Sequence, residues 1–354
     1  MNHIKGIAAA LAEYKLDAMM VSSEPGEFYA VDFHGEGFAV VTPEKCRYIT
    51  DSRYIEAANE HIVGAEIGMV GGGRNYAALI NEFLDAEEVK TLGFEDGYVS
   101  YAQFVSLKKD LHAALTPAND LLTGLRASKD AEELERMKKA QDITDRAFEE
   151  ICKFIKPGMT EQEIAAKLVY DMLRFGAEKM SFDPIVASGP NGSRPHAVPG
   201  GKTVETGEFI TMDFGCKYMG YCSDMTRTVA LGEPTEDMRR VYETVARAQK
   251  AGIAASRAGV SGADIHNAAA KVIQDAGYGR FFGHGYGHSV GVEIHESPNA
   301  SPSNPKPMPA GAMVSAEPGI YIPGQFGVRI EDVVRMEEGG CLDITHSPKQ
   351  LIVL

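Results

Sequence analysis

The segment EFITMDFGCKYMGYCSDMTRTVAL sets two aspartates, Asp213 and Asp224, in alternating apolar runs on either side of a turn at Lys217-Tyr218-Met219-Gly220. Folded symmetrically about that turn, the hairpin brings Asp213 directly opposite Asp224, and directly paired residues share a face with Cβ atoms about 5 Å apart. Like charges that close among apolar neighbours destabilise a strand pair unless a cation lies between them. Two metal ions about 3.5–4 Å apart suit such a gap. SAEPGIYIPGQFGVRIEDVV repeats the construction about Pro323-Gly324, with Glu317 and Glu331 symmetric about Gly324. Between the hairpins, GHGYGHSVGVEIHESP supplies His284, His288 and His295 among small residues that let backbone approach a crowded site. SGPNGSRPHAVPG puts His196 in a loop rich in proline and glycine.

Four carboxylates with one imidazole have a clear chemical meaning. They neutralise two divalent ions, and a water bridging those ions loses a proton near neutral pH. The hydroxide attacks a carbonyl or phosphoryl centre, while His196 and His295 donate hydrogen bonds to the oxyanion or protons to the leaving group. An oxygen-rich set with a single nitrogen suits Mn²⁺, Co²⁺ or Fe²⁺ better than a thiolate-type zinc site. A two-metal phosphoesterase would need cations for its phosphate, and only Arg194, Lys202, Arg227 and Arg329 are candidates.

The elements that must position these residues fall into two domains, expected at 1–122 and 128–354, as the 354-residue length also favours. The first reads as α/β: DAMMVSS, GFAVVTP, CRYITDS and EVKTLGFED read as strands, and Tyr54–His61 and Asn75–Phe83 as helices. Asp32 and His34 fall in a loop, and Gly71-Gly72-Gly73 is a turn without the Lys and Ser/Thr of a phosphate cradle. TPANDLLTGLRASKD is the expected linker. A long amphipathic helix from Leu134 to Phe154 follows and ends at Pro157-Gly158. Thr160 with Glu163 makes a capping-box start for the next helix. Helices follow at about 236–257 and 262–276, and helices and antiparallel hairpins are segregated rather than alternating, which predicts an α+β domain.

Composition narrows the function classes. A net charge of −15 argues against nucleic-acid binding, which depends on clustered Lys and Arg. No apolar run is long enough to cross a membrane, and Glu13, Lys15 and Asp17 interrupt the N-terminal stretch that a secretory signal would need. Five scattered cysteines without a CxxC pair fit a reducing, cytoplasmic setting.

In order and spacing, FDPIVASG, PHAVPG, MDFG, SDMTRT, GHGYGH, VEIHESP, AEPGIYIPG and GVRIED resemble the pita-bread metallopeptidases of the Xaa-Pro aminopeptidase and prolidase branch. The N-terminal part resembles that branch's creatinase-type domain, so the resemblance covers the whole chain. It implies metal ligation by Asp213, Asp224, His288, Glu317 and Glu331, with Asp224 and Glu331 bridging. It implies substrate contact near the scissile bond by His196 and His295, and proton handling by Glu317. Phe182, His284, Tyr321 and Arg329 are expected to line or support the substrate pocket. The implied cofactors are two divalent ions per chain, Mn²⁺ foremost, with Co²⁺, Fe²⁺ or Zn²⁺ as alternatives. The implied reaction cleaves the bond between a first residue and proline, a tertiary amide with no N–H and a fixed ring. A homodimer is implied as well.

Three departures stand out. Ser289 follows the ligand histidine where glycine is usual, Asp32 and His34 replace glycine and a small polar residue, and Asn299 stands where dipeptide-cleaving members can carry arginine. The last favours an Xaa-Pro aminopeptidase, with prolidase the alternative and a non-catalytic peptide-binding member behind both.

Overall fold

The computed structural model describes residues 2–354, in two compact units that meet in sequence between Arg126 and Ala127. In the first, strands Glu66–Met69, Cys46–Thr50, Phe38–Val41, Ala18–Val21, Thr91–Phe94 and Ala114–Pro117 lie side by side in that order as one mixed sheet. Strand Ala18–Val21 shows why its sequence is apolar throughout. Met19 and Val21 pack on one face with Ile7, Leu11, Ala30 and Val31, while Ala18 and Met20 pack on the other with Leu79, Ile80 and Phe83. Side chains alternate along a strand, so a sheet covered by helices on both faces has no polar side.

The stretch expected to be a linker is mostly helix, Asn119–Arg126. Leu121 and Leu122 are buried with Ile4 and Ile7, so this helix belongs to the first core. Its Asn, Asp, Thr and Gly residues suggested an open connection, but the apolar residues fall on one side.

The second unit is α+β, the class expected. Helices Ala131–Phe154, Glu161–Arg174, Glu236–Ala255 and Gly262–Asp275 start at Asp130, Thr160, Thr235 and Ser261, whose side chains accept from the first-turn N–H groups. The first helix pair packs Ile143, Ala147, Ile151, Ile164 and Leu168 against Ile210, Met212, Phe214 and Val229. The second packs Val241, Val245, Ile265 and Ala269 against Val314, Ala316, Val328 and Val334. The ladders between this unit's strands are antiparallel, and one parallel bridge ties Ala230 to Val353. Among the described residues no helix is long and apolar enough to cross a membrane.

Candidate active site

The two acidic hairpins differ in register. Around Gly324 the ladder pairs Gly319 with Arg329, Ile322 with Phe326, and further out Ala316 with Asp332. Glu317 and Glu331 therefore face each other in the break between two short ladders, as their symmetry predicts. The first hairpin turns one residue later than expected. Tyr218 pairs with Tyr221, so the turn is Met219-Gly220, with φ of 46° and 78°. Positive φ at both central residues is the tight hairpin turn whose twist matches its strands. Asp213 is consequently opposite Thr226 rather than Asp224. The direct pairing is overturned, and Asp224 stands two residues from Asp213's partner, hence on the same side of the hairpin.

The Glu331 N–H donates to the Thr226 carbonyl at 3.0 Å, which fastens the two hairpins together. The Thr226 hydroxyl donates to Glu331 Oε2 at 2.6 Å and accepts from Arg329 Nε at 2.9 Å. Arg329 Nη2 reaches Asp213 Oδ2 at 2.6 Å, leaving Asp213 Oδ1 buried with no hydrogen-bond partner.

His288 enters from the short strand Gly287–Ser289. A Cβ on Gly287 would lie 1.8 Å from the Ser315 carbonyl oxygen, so this close approach requires glycine. The His288 N–H then donates to Ser315 Oγ at 3.0 Å, and that hydroxyl donates to Glu317 Oε1 at 3.0 Å. His288 Nδ1 lies 3.1 Å from the Ser289 carbonyl, so it carries the proton and Nε2 presents its lone pair. Nε2 is 3.4 Å from Glu317 Oε1 and 3.6 Å from Asp224 Oδ2.

These residues line a cleft of about 460 Å³ together with Phe182, His196, His284, His295 and Tyr321. Every site residue expected from the sequence is thus in one place. The His295 and His288 rings meet edge-on, 4.3 Å between centroids. Arg329 Nη1 donates to the Tyr321 hydroxyl at 2.9 Å, which lies 3.0 Å from His284 Nε2, and His284 Nδ1 is 2.8 Å from the Gly285 carbonyl. That chain assigns the His284 proton to Nδ1 and has the tyrosine donate to Nε2.

The electrostatics favour a bound cation. Burial, and then the charges of Glu331, Asp213 and Glu317, push the Asp224 carboxyl well above the ordinary carboxylate range. Glu331 is raised likewise by burial and then by Glu317 and Asp213, and Glu317 is raised chiefly by burial. Burial lowers His284, His288 and His295, keeping their imidazoles neutral. Asp213, Asp224, Glu317 and Glu331 against the single guanidinium of Arg329 leave three negative charges uncompensated if all ionise, and Asp183 adds a fifth carboxylate to the cleft. Ligand atoms of Asp224, His288 and Glu331 lie within 4.8 Å of one another. With the orphaned Asp213 oxygen, the residues present fit divalent-metal binding.

Sequence reading missed Thr226 and Ser315, whose hydroxyls hold the carboxylates. Their signal was positional: each lies two residues from an expected metal ligand, Thr226 from Asp224 and Ser315 from Glu317, in extended chain and hence on the same side. Asp183, Ile185, Pro195 and Ile294 also line the cleft without having been singled out. Of the four cations considered for phosphate, only Arg329 lines the cleft. Arg194 is held by Asn191, Lys202 by Glu208 and Arg227 by Asp332. Asn299 is absent from the cleft wall, and its side-chain oxygen accepts from Ser301. Ser289 is buried with its hydroxyl donating to the Pro298 carbonyl at 2.6 Å. In the N-terminal unit, Asp32 caps helix Glu24–Val31 in the left-handed conformation, and the His34 ring stacks on Phe28.

Comparison with known proteins gives two family matches: metallopeptidase family M24 over residues 135–338, and the creatinase/prolidase N-terminal domain over residues 3–128. The Bacillus subtilis peptidase YqhT is 40% identical over 96% of both chains. A solved Xaa-Pro dipeptidase from Bacillus anthracis superposes with a TM-score of 0.95 at 38% identity, covering 99% of both chains. An X-Pro aminopeptidase from Thermotoga maritima gives 0.92 at 35% identity, covering 96% of this chain and 98% of its own.

Proposed function

This chain belongs to metallopeptidase family M24, with a creatinase-type N-terminal domain and a pita-bread catalytic domain, and on that footing we propose that it hydrolyses the Xaa-Pro bond of short peptides, dipeptides foremost. The observation that carries the reading is the buried carboxylate cluster beside neutral histidines in a cleft of about 460 Å³. Asp213, Asp224, His288, Glu317 and Glu331 would hold two divalent ions, with Mn²⁺ the first choice for this oxygen-rich set. Bound there, the ions would polarise the scissile carbonyl and acidify a water.

The chain's own groups do the rest. Glu317, raised by burial and steadied by Ser315, takes the proton of the attacking water. His295 and His196 line the same cleft and donate hydrogen bonds to the carbonyl oxygen as it gains charge. The proline nitrogen has no hydrogen of its own and leaves only after receiving a proton, which these groups supply. Arg329 holds Asp213 and Tyr321 in place, and Tyr321 orients His284.

Placing dipeptides first departs from the aminopeptidase expectation. That expectation rested on Asn299, which is not part of the cleft wall. The aminopeptidase reading keeps support from the Thermotoga maritima likeness and from a second cavity adjoining the cleft. A cytoplasmic, homodimeric enzyme completes the proposal; all five cysteines are free, as a reducing compartment would leave them. The test is hydrolysis of Ala-Pro, Ala-Pro-Ala and Ala-Ala by metal-free protein, with and without Mn²⁺. Manganese-dependent cleavage of Ala-Pro, with Ala-Ala untouched, is the expected result. Equal cleavage of Ala-Ala would remove the proline specificity, and cleavage of the tripeptide alone would make it an aminopeptidase.

A further inference from the structure

A second cavity of about 390 Å³ adjoins the carboxylate-lined cleft and shares Pro195, His196, His284 and Tyr321 with it. The remaining walls of this extension are Arg280, Phe281, Gly283 and Pro323. Its chemistry is the reverse of the cleft's. No carboxylate lines it; its walls are two prolines, the rings of Phe281 and Tyr321, two imidazoles, Gly283 and Arg280. Arg280 is exposed and stands over the Phe281 ring, 4.6 Å from the centroid. Among the described residues it pairs with no carboxylate, unlike Arg227 and Arg329, which meet Asp332 and Asp213.

From this we infer that Arg280 is a specificity-determining residue that receives the free C-terminal carboxylate of a short Xaa-Pro substrate. A zwitterionic peptide in the adjoining cavities meets carboxylates at one end and a guanidinium at the other. The apolar walls between accept a proline ring, which offers no N–H for recognition. An Arg fork matches a carboxylate in geometry as well as charge, and its stacking on Phe281 limits the freedom it must lose on binding. The inference rests on the Xaa-Pro reading and extends it: Arg280 is the cation that position 299 does not supply.

The experiment compares metal-loaded wild type, Arg280→Gln and Arg280→Lys on Ala-Pro, Ala-Pro-Ala and the C-terminal amide of each. Arg280 is exposed, so its replacement leaves the fold intact. Wild type should favour acid over amide, and Arg280→Gln should lower kcat/KM for the acid by roughly fivefold to tenfold through KM, the size of one solvent-accessible charged contact. The amide should be unaffected and Arg280→Lys intermediate. Discrimination within the dipeptide pair assigns the carboxylate to proline, and within the tripeptide pair to the third residue; either supports the inference. Hydrolysis in which Arg280→Gln changes acid and amide alike, or neither, overturns it while leaving the Xaa-Pro activity standing. Failure of wild type to cut any of the four overturns both.

Discussion

Glu331 and Asp332 are adjacent in sequence, equally buried and carry the same charge, yet their surroundings are opposite. Asp332 is met by Arg227 at 2.7 Å, by Gln249 Nε2 at 2.6 Å and by Lys349. Burial pushes its carboxyl up, but Arg227 and Lys349 together outweigh that and hold it below the usual value. Glu331, one residue back, faces Asp224, Glu317 and Asp213, with one hydroxyl and one shared guanidinium in attendance. A buried carboxylate is stable where the protein supplies its counter-charge. Where the protein supplies more carboxylates instead, the balance must come from outside. On the proposed reading, that difference separates a structural ion pair from a metal site, although the two carboxylates are consecutive in the chain.

The contrast can be broken by two amide substitutions with opposite signatures. Asp224→Asn should reduce Xaa-Pro hydrolysis by about a thousandfold or more, since several kcal/mol of charge stabilisation depend on the metals. It should also weaken metal binding while leaving metal-free stability unchanged or higher, because it removes a like charge. Asp332→Asn should do the reverse, lowering stability by about 3–5 kcal/mol by leaving Arg227 buried without its partner. Denaturant unfolding of both metal-free variants, with metal content measured on each, makes the comparison. Loss of stability in Asp224→Asn equal to that in Asp332→Asn would mean that the two carboxylates play the same role.

Next in size is Thr226, whose hydroxyl ties Glu331 to Arg329. Thr226→Val should weaken metal binding by about 10–100-fold, as for other groups that orient ligands. Thr226→Ser should restore most of it in a chelator competition. An unchanged affinity in the valine variant would show that the hydroxyl orients nothing.

The pH dependence follows from the same comparison, with opposite signs. Asp224, Glu317 and Glu331 are raised in the metal-free fold, so their contribution to stability is fully present below the unfolded carboxylate pKa of about 4 and is lost as pH rises through their folded values. Asp332 is lowered, so its contribution is present above the unfolded value and is lost as pH falls through the folded one. Metal binding must displace protons from the raised group, so affinity should fall as pH falls. Calorimetric titrations over a series of pH values, in two buffers of different ionisation enthalpy, would count the released protons, and an affinity that does not fall as pH falls would contradict the raised direction.

The smallest effect is expected at Ser289, which faces away from the cleft beside His288. Ser289→Gly should cost about 1 kcal/mol through its hydrogen bond to Pro298 and leave kcat/KM unchanged. A tenfold change in activity would show that this hydroxyl reaches the site.

How far the site was legible in the sequence depended on its turns. Pro323-Gly324 announces its own centre, so the facing of Glu317 and Glu331 could be read from symmetry. The other hairpin turns on Met219, a residue with no turn preference held at positive φ, and the expected centre fell one residue early. The shared face of Asp213 and Asp224 survived the error because the partner shifted by two residues, the period of a strand. The edge strands Glu66–Met69 and Ala114–Pro117 were not read because they are short and half exposed, with no apolar alternation. Thr226 lies within SDMTRT, but neither it nor Ser315 is marked by residue type as an orienting group; what each hydroxyl reaches is set by the fold.

The account stands most directly on a titration of metal-free protein with Mn²⁺, following bound metal and release of alanine from Ala-Pro in the same samples. It predicts two bound ions per chain in wild type, with hydrolysis rising as the sites fill, and failure of Asp224→Asn to reach either level. Saturation with two ions and no cleavage of Ala-Pro, or cleavage at full rate with no metal bound, would contradict it.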